Sequence, residues 1–329
     1  MTEKTLRSIN FSYSTPPPEG ARNDNLINLF LLFKEMNILL IGCGRTGRAI
    51  VENLIELNNV NNLFLYSRTP KSSKALARDL DNRKVQVVEK ISDLNDIDYV
   101  IISLSGMSDS ARTESMNKRD TTYEVRQDEL KFNLGAIAQL IKDLANLNAK
   151  IIVVTNPVDE ITNSLRIMLK NKIVLGFGLE LDAKRYESEL GKRVMCIGSH
   201  GRAIPIINAK SEEVYTKLLH KIDSALLNFI RKHGIPHKLA GLSFRTFFEK
   251  LNSNSEQIVH MSYYLSKPFL GIRDISISLP FRVKKGKILG IANLDVNEIE
   301  KKRFISSANE LRESVNHILE THKKLMEYK

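Results

Sequence analysis

Cysteine is scarce in this sequence. There are two in 329 residues, Cys43 and Cys196. Such a pair builds no disulfide framework and lacks metal-ligand spacing, so no structural metal is expected and a reducing cytoplasm suits the chain. Long apolar runs are also missing. The longest candidate, Leu26 to Phe33, is too short to span a bilayer and runs into Lys34 and Glu35. The first residues carry no secretory signal, because Lys4 and Arg7 lead into Pro16, Pro17 and Pro18 instead of an apolar core. Clustered positive charge is absent as well. The net charge is +11, yet Lys and Arg are scattered. The densest group, Arg282, Lys284, Lys285 and Lys287 around Gly286, has the composition of a polar turn between strands. Scatter argues against a nucleic-acid or membrane partner and leaves a small anionic ligand as the natural counterpart of the charge. No internal repeat is present.

What is there is ordinary for a globular protein: 42% hydrophobic and 26% charged residues, in a chain long enough for a sizeable core without staples. Residues 1–35 read as an N-terminal extension outside the fold, and Met36, which opens a strand directly, could itself be the start. From there the pattern is regular. Asn37–Ile41, Asn62–Tyr66, Val85–Val88, Tyr99–Leu104 and Ile151–Thr155 are apolar runs of strand length. Arg48–Leu57, Ser72–Leu80 and a long amphipathic stretch, Gln127–Leu147, have helical spacing. Strands alternating with helices predict an α/β fold with a parallel sheet covered on both faces. After Asn156 the chain has more charge and more short strands, and it ends in a polar helix expected over Asn297–Lys324. The expected division is a Rossmann-type dinucleotide-binding domain at 36–159 and an α+β substrate domain at 160–329.

Gly42-Cys43-Gly44-Arg45-Thr46-Gly47 fits G-x-G-x-x-G between the first strand and the first helix. The first glycine makes the turn, the second admits a pyrophosphate, and the third packs helix on strand. The free N–H groups of the helix start, near Arg45 and Thr46, favour an anion. A nicotinamide dinucleotide, NAD or NADP, is therefore expected. At the end of the second strand, where an acidic residue would bind the ribose hydroxyls, stand Ser67 and Arg68. A hydroxyl and a guanidinium suit a 2′-phosphate, so NADP is expected over NAD.

Four further segments carry polar residues in a telling order. Val125-Arg126-Gln127-Asp128-Glu129-Leu130, with Asn133 after it, is an arginine near a helix start. Val154-Thr155-Asn156-Pro157-Val158-Asp159 ends a strand in a turn. In Gly178-Leu179-Glu180-Leu181-Asp182-Ala183-Lys184-Arg185, Asp182 and Arg185 share one helix face. Ile197-Gly198-Ser199-His200-Gly201 places a histidine, whose intrinsic pKa lies near working pH, in a loop after a strand. Together these segments, from Met36 to about Tyr328, resemble the lactate/malate dehydrogenase family. The resemblance implies hydride transfer between NAD(P) and a small 2-hydroxy or 2-oxo acid. It implies His200 as general acid–base, Asp182 as its orienting carboxylate and the group that raises its pKa, and Arg126 as the polariser of the reacting carbonyl. Arg185 would hold the substrate carboxylate, Asn156 would bind the substrate oxygen, and Asn133 would lie on the cofactor side. A homodimer or homotetramer is implied too.

Departures from the family pattern bear on function. Arg202 stands where the family has Asp, two residues from His200, where a cation would lower its pKa. The Gly106–Arg126 loop, the family's substrate lid, is longer than usual by about ten residues. Counting back from Arg126, the residue that discriminates substrates falls near Asp120. Arg119 lies beside it and Arg112 further off. Arg119 could bind a second carboxylate, which tilts the expectation slightly from lactate toward malate. Pro236 falls where the family has a small polar residue. Arg202 and the long lid leave room for a second reading, a dinucleotide-binding member with lost or altered catalysis. A related dinucleotide-dependent glycosidase would need a metal, for which no Cys/His set is present.

Overall fold

Alternation within the apolar strands sets the layers. In the computed structural model, which describes residues 35–170, 172–234 and 236–321, β1 spans Met36–Ile41, β4 Tyr99–Ile102 and β5 Lys150–Val153. Ile38, Leu40, Tyr99, Ile101 and Ile152 bury toward one face of the sheet, and Leu39, Ile41, Val100, Ile102, Ile151 and Val153 toward the other. Strands apolar on both sides need helices on both sides. The first core is closed by α1 (Arg45–Leu54) through Ile50, Val51 and Leu54. It is completed by Phe244, Phe247 and Phe248 of α9 (His237–Asn252) and by Phe304, Ala308 and Leu311 of α10 (Glu298–Thr321). The second core is closed by Leu130, Leu134 and Ile137 of α4 (Thr122–Ala138) and Ile161 and Leu165 of α6 (Val158–Met168).

The sheet has nine strands in the order β11-β10-β9-β6-β5-β4-β1-β2-β3. With β2 (Val60–Tyr66), β3 (Val85–Val87) and β6 (Val174–Gly176), the parallel part reads 3-2-1-4-5-6. That order reverses between β1 and β4, and ligands of such sheets bind beyond the strand carboxyl ends at this reversal. Antiparallel strands β9 (Gln257–Tyr264), β10 (Ser276–Lys284) and β11 (Lys287–Ile291) extend the same sheet from β6. The basic group at 282–287 forms the β10–β11 turn, with Lys285 and Gly286 both at positive φ as a two-residue hairpin requires.

The division expected at 159/160 falls inside α6, strands from both halves share one sheet, and from Met36 onward the chain is one compact unit. The extension expected over 1–35 lies, apart from Glu35, outside the described residues, as do the last three residues of the helix expected over 297–324. The single helix expected over 127–147 is two helices. A capping box of Thr121 and Glu124 starts α4 at Thr122, and α5 (Ile141–Asn146) follows a break. The long loop at 106–126 contains a helix of its own, α3 (Asp109–Lys118), capped by Ser108. Among the described residues no helix is long and apolar enough to cross a membrane.

Candidate active site

The polar segments picked out in the sequence converge at the carboxyl end of β5. Phe177 follows β6 and packs edge-on against Phe244 and Phe247 at 5.1 and 5.2 Å, which anchors the start of α7 (Leu179–Leu190). Gly178 precedes that helix. A Cβ there would fall 2.4 Å from Cγ of His200, so only glycine lets the imidazole lie against the helix start. Asp182, one turn into α7 and 4% exposed, faces the ring. Its Oδ2 lies 2.7 Å from His200 Nδ1 and accepts the Gly201 N–H at 2.9 Å, and its Oδ1 accepts from Arg185 Nη1 at 2.6 Å. The His200 loop follows β7 (Cys196–Ile197) and is held from behind. Asp159 Oδ2 accepts the His200 N–H at 2.7 Å, and its Oδ1 accepts from Ser278 Oγ at 2.7 Å. An acceptor bound to Nδ1–H leaves the lone pair on Nε2. Among the described residues no hydrogen bond engages Nε2, and His200 lines a cavity of about 130 Å³.

Arg126, Asn156 and Arg185 line the same cavity. Arg126 reaches it past Gly201, where a Cβ would fall 1.7 Å from Nη1 and where φ is +89°. Arg126 Nη1 and Asn156 Oδ1 are buried without a hydrogen-bond partner among the described residues. Unmatched buried polar atoms cost roughly 1–3 kcal/mol each, more when charged, and are rare outside sites that take a ligand. A donor, an acceptor and a free imidazole nitrogen thus face one small space.

Charge in this space is not what the sequence neighbours suggest. Burial first, and then the Arg126 guanidinium, push His200 down to about 4, against the opposing pull of Asp182. Asp182 does pull the imidazole upward, as expected, but removal from water and the Arg126 guanidinium outweigh one carboxylate. Arg202 is not the cation responsible. Its guanidinium pairs with Glu310 of α10 and lies 4.6 Å over the Tyr123 ring. Burial alone would raise Asp182, but the His200 imidazole and the guanidiniums of Arg185 and Arg126 hold it well below the usual carboxylate range.

The glycine turn lies where the sheet order reverses. Gly42 has φ +105° and a Cβ there would strike the Leu104 backbone, while a Cβ at Gly47 would fall 2.0 Å from Gly42 O. At Gly44 a Cβ would meet nothing, so the backbone is open there to an approaching group, at the amino end of α1. That geometry fits a dinucleotide phosphate. Thr46 lines the cavity, and its hydroxyl lies 2.9 Å from His237 Nδ1. Arg45 is exposed and pairs with Asp109. Ser67 donates to Thr69 O and accepts the Ser73 N–H, which ties it to the start of α2 (Pro70–Leu80). Arg68 is exposed beside it.

Asn133 and Arg119, both expected at the site, make other contacts instead. Asn133 is 1% exposed and works as a cross-link, accepting the Gly106 N–H and donating to Asn156 O. Arg119, at the end of α3, is fastened to Asp128 at 2.6 and 2.8 Å and is exposed. The arginine of α3 that does line the cavity is Arg112, which donates to Glu129 at 2.5 Å and to Ser105 at 2.6 Å. Glu129, Asp159 and Gly178 were not singled out from sequence. Glu129 and Asp159 lay inside quoted motifs without a role, and only their burial distinguishes them.

The sequence profile of the shikimate / quinate 5-dehydrogenase family matches residues 27–135, the part of the chain that carries the glycine turn. Over nearly the whole chain the similarity is to other proteins. A malate dehydrogenase from Methanothermobacter thermautotrophicus is 26% identical over 322 residues, 87% of this chain and 98% of that one. An L-lactate dehydrogenase from Bacillus velezensis is 21% identical over 314 residues, 84% of this chain and 95% of that one. Over most of its length the chain thus resembles malate and lactate dehydrogenases. Solved structures agree on the lactate/malate dehydrogenase fold. Malate dehydrogenase from Plasmodium falciparum superposes with a TM-score of 0.72 at 17% identity, covering 89% of this chain and 100% of that one. The minor L-lactate dehydrogenase of Enterococcus mundtii gives 0.72 at 21% identity, covering 86% and 98%.

Proposed function

We propose that this chain is a lactate/malate dehydrogenase family member, an NAD(P)-dependent oxidoreductase that interconverts a small 2-hydroxy acid and its 2-oxo acid. The observation that carries the reading is that His200 and Arg185, both bonded to buried Asp182, line one cavity with Arg126 and Asn156, whose Nη1 and Oδ1 lack partners among the described residues.

The chemistry follows from the donors present. When bound, the dinucleotide supplies or accepts the hydride, and Gly42, Gly44 and Gly47 with the α1 start would hold its phosphates. Arg185 keeps one Nη on Asp182, which leaves the rest of its planar fork for a substrate carboxylate. Arg126 Nη1 donates to the reacting oxygen and supports negative charge developing there. In oxidation His200 Nε2 takes the hydroxyl proton, and in reduction it returns it. At neutral pH an imidazole pushed down to about 4 is unprotonated and ready for oxidation. A bound carboxylate beside Arg185 offsets one of the cations that hold His200 down, so binding of the 2-oxo acid draws a proton onto Nε2.

The cofactor is read as NADP in preference to NAD. Ser67 and exposed Arg68 at the end of β2, with no carboxylate between them, support this reading. A relative from Methanocaldococcus jannaschii, 25% identical over 312 residues, 83% of this chain and 96% of that one, is named L-2-hydroxycarboxylate dehydrogenase (NAD(P)(+)), a name that covers both dinucleotides. The relatives' names leave the acid open between charged and apolar side chains. A cytoplasmic homodimer or homotetramer is the expected setting, and light scattering on the purified protein tests the assembly. The reaction is tested by following nicotinamide absorbance with 2-oxo acids for wild type and His200→Asn. Loss of most turnover with unchanged dinucleotide binding is expected. Wild-type-like turnover in the variant overturns the assignment.

A further inference from the structure

Beyond the groups that hold the reacting end, the cavity is walled by Met116, Val125, Leu181, Leu227 and Ile230. Met116 belongs to α3, inside the lid, and Leu227 and Ile230 belong to α8 (Glu212–His233). These two helices are docked on each other. Arg231 of α8 donates through Nη2 to Met116 O at 3.1 Å and to Arg119 O at 2.8 Å. The lid therefore lies against α8, with apolar side chains from both meeting at the cavity.

The charges in and behind this wall balance in a specific way. At the reacting end two guanidiniums, Arg126 and Arg185, face one carboxylate, Asp182, while the Arg112 guanidinium of the wall is already paired with two, Glu129 and Asp109. His200 is neutral near pH 7. One positive charge is left over, which one carboxylate of a substrate would match when the nicotinamide is in its neutral, reduced form. A second carboxylate would need another cation with free donors and charge not already offset. Arg112 keeps two N–H groups, but its charge is already offset by two carboxylates: Nε is on Glu129 and Nη1 on Asp109 at 3.2 Å, with Nη2 on Ser105 at 2.6 Å. Arg119 is committed to Asp128 outside the cavity. Displacing Glu129 would leave a buried carboxylate unpaired beside the incoming one, which is strongly unfavourable.

We infer that the substrate is a monocarboxylic 2-oxo acid with an uncharged, apolar side chain larger than methyl, received by the wall that Met116, Leu227 and Ile230 build between the lid and α8. The inference rests on the oxidoreductase reading of the site and names its substrate class. Each methylene transferred to an apolar wall is worth about 0.8 kcal/mol, or roughly fourfold. Specificity then rises along a series of aliphatic acids, and a carboxylate in place of the apolar group is rejected by an unmatched buried charge.

The test is a comparison of kcat/KM for pyruvate, 2-oxobutanoate, 2-oxo-4-methylpentanoate and oxaloacetate, each with NADH and NADPH. The expected order places 2-oxo-4-methylpentanoate about tenfold or more above pyruvate, with oxaloacetate at least tenfold below it. Oxaloacetate equal to or better than the branched acid overturns the inference while leaving the oxidoreductase reading intact. No turnover of any of the four, with dinucleotide binding retained, overturns both. Met116→Arg supplies an independent arm. A cation in the wall should move the ratio of oxaloacetate to 2-oxo-4-methylpentanoate toward oxaloacetate by at least tenfold, and an unmoved ratio contradicts the placement of the wall.

Discussion

Asp182 is the residue whose replacement the geometry interprets most fully. Its carboxylate takes three donors: the His200 ring nitrogen at 2.7 Å, the Gly201 N–H at 2.9 Å and Arg185 Nη1 at 2.6 Å. Asp182→Asn keeps the shape and replaces one oxygen by an NH₂ group. Turned toward His200, that NH₂ meets Nδ1 and forces the proton onto Nε2, the nitrogen that must accept from the substrate. Turned toward Arg185, it sets donor against donor and frees the guanidinium. Either way a buried cluster of two guanidiniums, Arg126 and Arg185, loses its anion. Removing one partner of a buried charge set costs about 3–5 kcal/mol. His200, already down to about 4, loses the group that pulls it upward and falls further. A drop of about 10²–10⁴ in kcat/KM is expected, by analogy with loss of an orienting carboxylate in other histidine bases. Steady-state assays across pH 5–9 would show it, with circular dichroism melts establishing that the variant is folded and titration calorimetry that the dinucleotide still binds. A folded variant with kcat/KM within about threefold of wild type, and an unchanged pH profile, would refute this account of the His200 environment.

Other outcomes follow from neighbouring groups. Burial and then Asp159 push Glu160 up to about 7 from 4.5. The folded chain thus holds a proton that the unfolded chain releases, and stability is lost as pH rises from about 4.5 through 7, by up to about 3 kcal/mol. Glu160→Gln removes that loss, so its Tm advantage over wild type should widen between pH 5 and 8 in thermal melts, and a narrowing advantage would count against the burial argument. Gly178→Ala puts a methyl group 2.4 Å from the His200 ring and should lower kcat about 10²-fold with little change in dinucleotide affinity. If alanine there leaves kcat intact, the ring does not depend on that close approach. Arg68→Asp should shift the ratio of NADPH to NADH kcat/KM toward NADH by at least tenfold, and an unshifted ratio would remove Arg68 from cofactor choice.

Much of the parallel sheet was legible because buried strands announce themselves as apolar runs, and the strands beginning at Met36, Val60, Val85, Tyr99 and Lys150 lie within a residue or two of the runs that predicted them. The Asp182–Arg185 pair was legible because helical spacing puts both on one face, and their bond is 2.6 Å. The lid was not. Counting residues back from Arg126 assumes an open loop, but α3 coils that segment, brings Arg112 to Glu129 and turns Arg119 outward to Asp128. The start of α4 was displaced for a local reason, the Thr121–Glu124 capping box, which the residues contain but the apolar pattern does not register. The acidity of His200 was misjudged because neighbours in sequence stood in for neighbours in space. Arg202 is near in the chain and aimed at Glu310, whereas Arg126 is distant in the chain and shares the cavity.

The central claim is that the protein transfers a hydride between nicotinamide and the carbonyl carbon of a 2-oxo acid, with His200 carrying the proton. It is tested most directly with a reduced dinucleotide carrying deuterium at the reactive C4 position, incubated with the protein and a 2-oxo acid. The account predicts one deuterium at C2 of the hydroxy acid, none exchanged with water, and transfer slowed at least 10²-fold in His200→Asn. Deuterium retained on the dinucleotide, or lost to solvent with no labelled hydroxy acid formed, would contradict it.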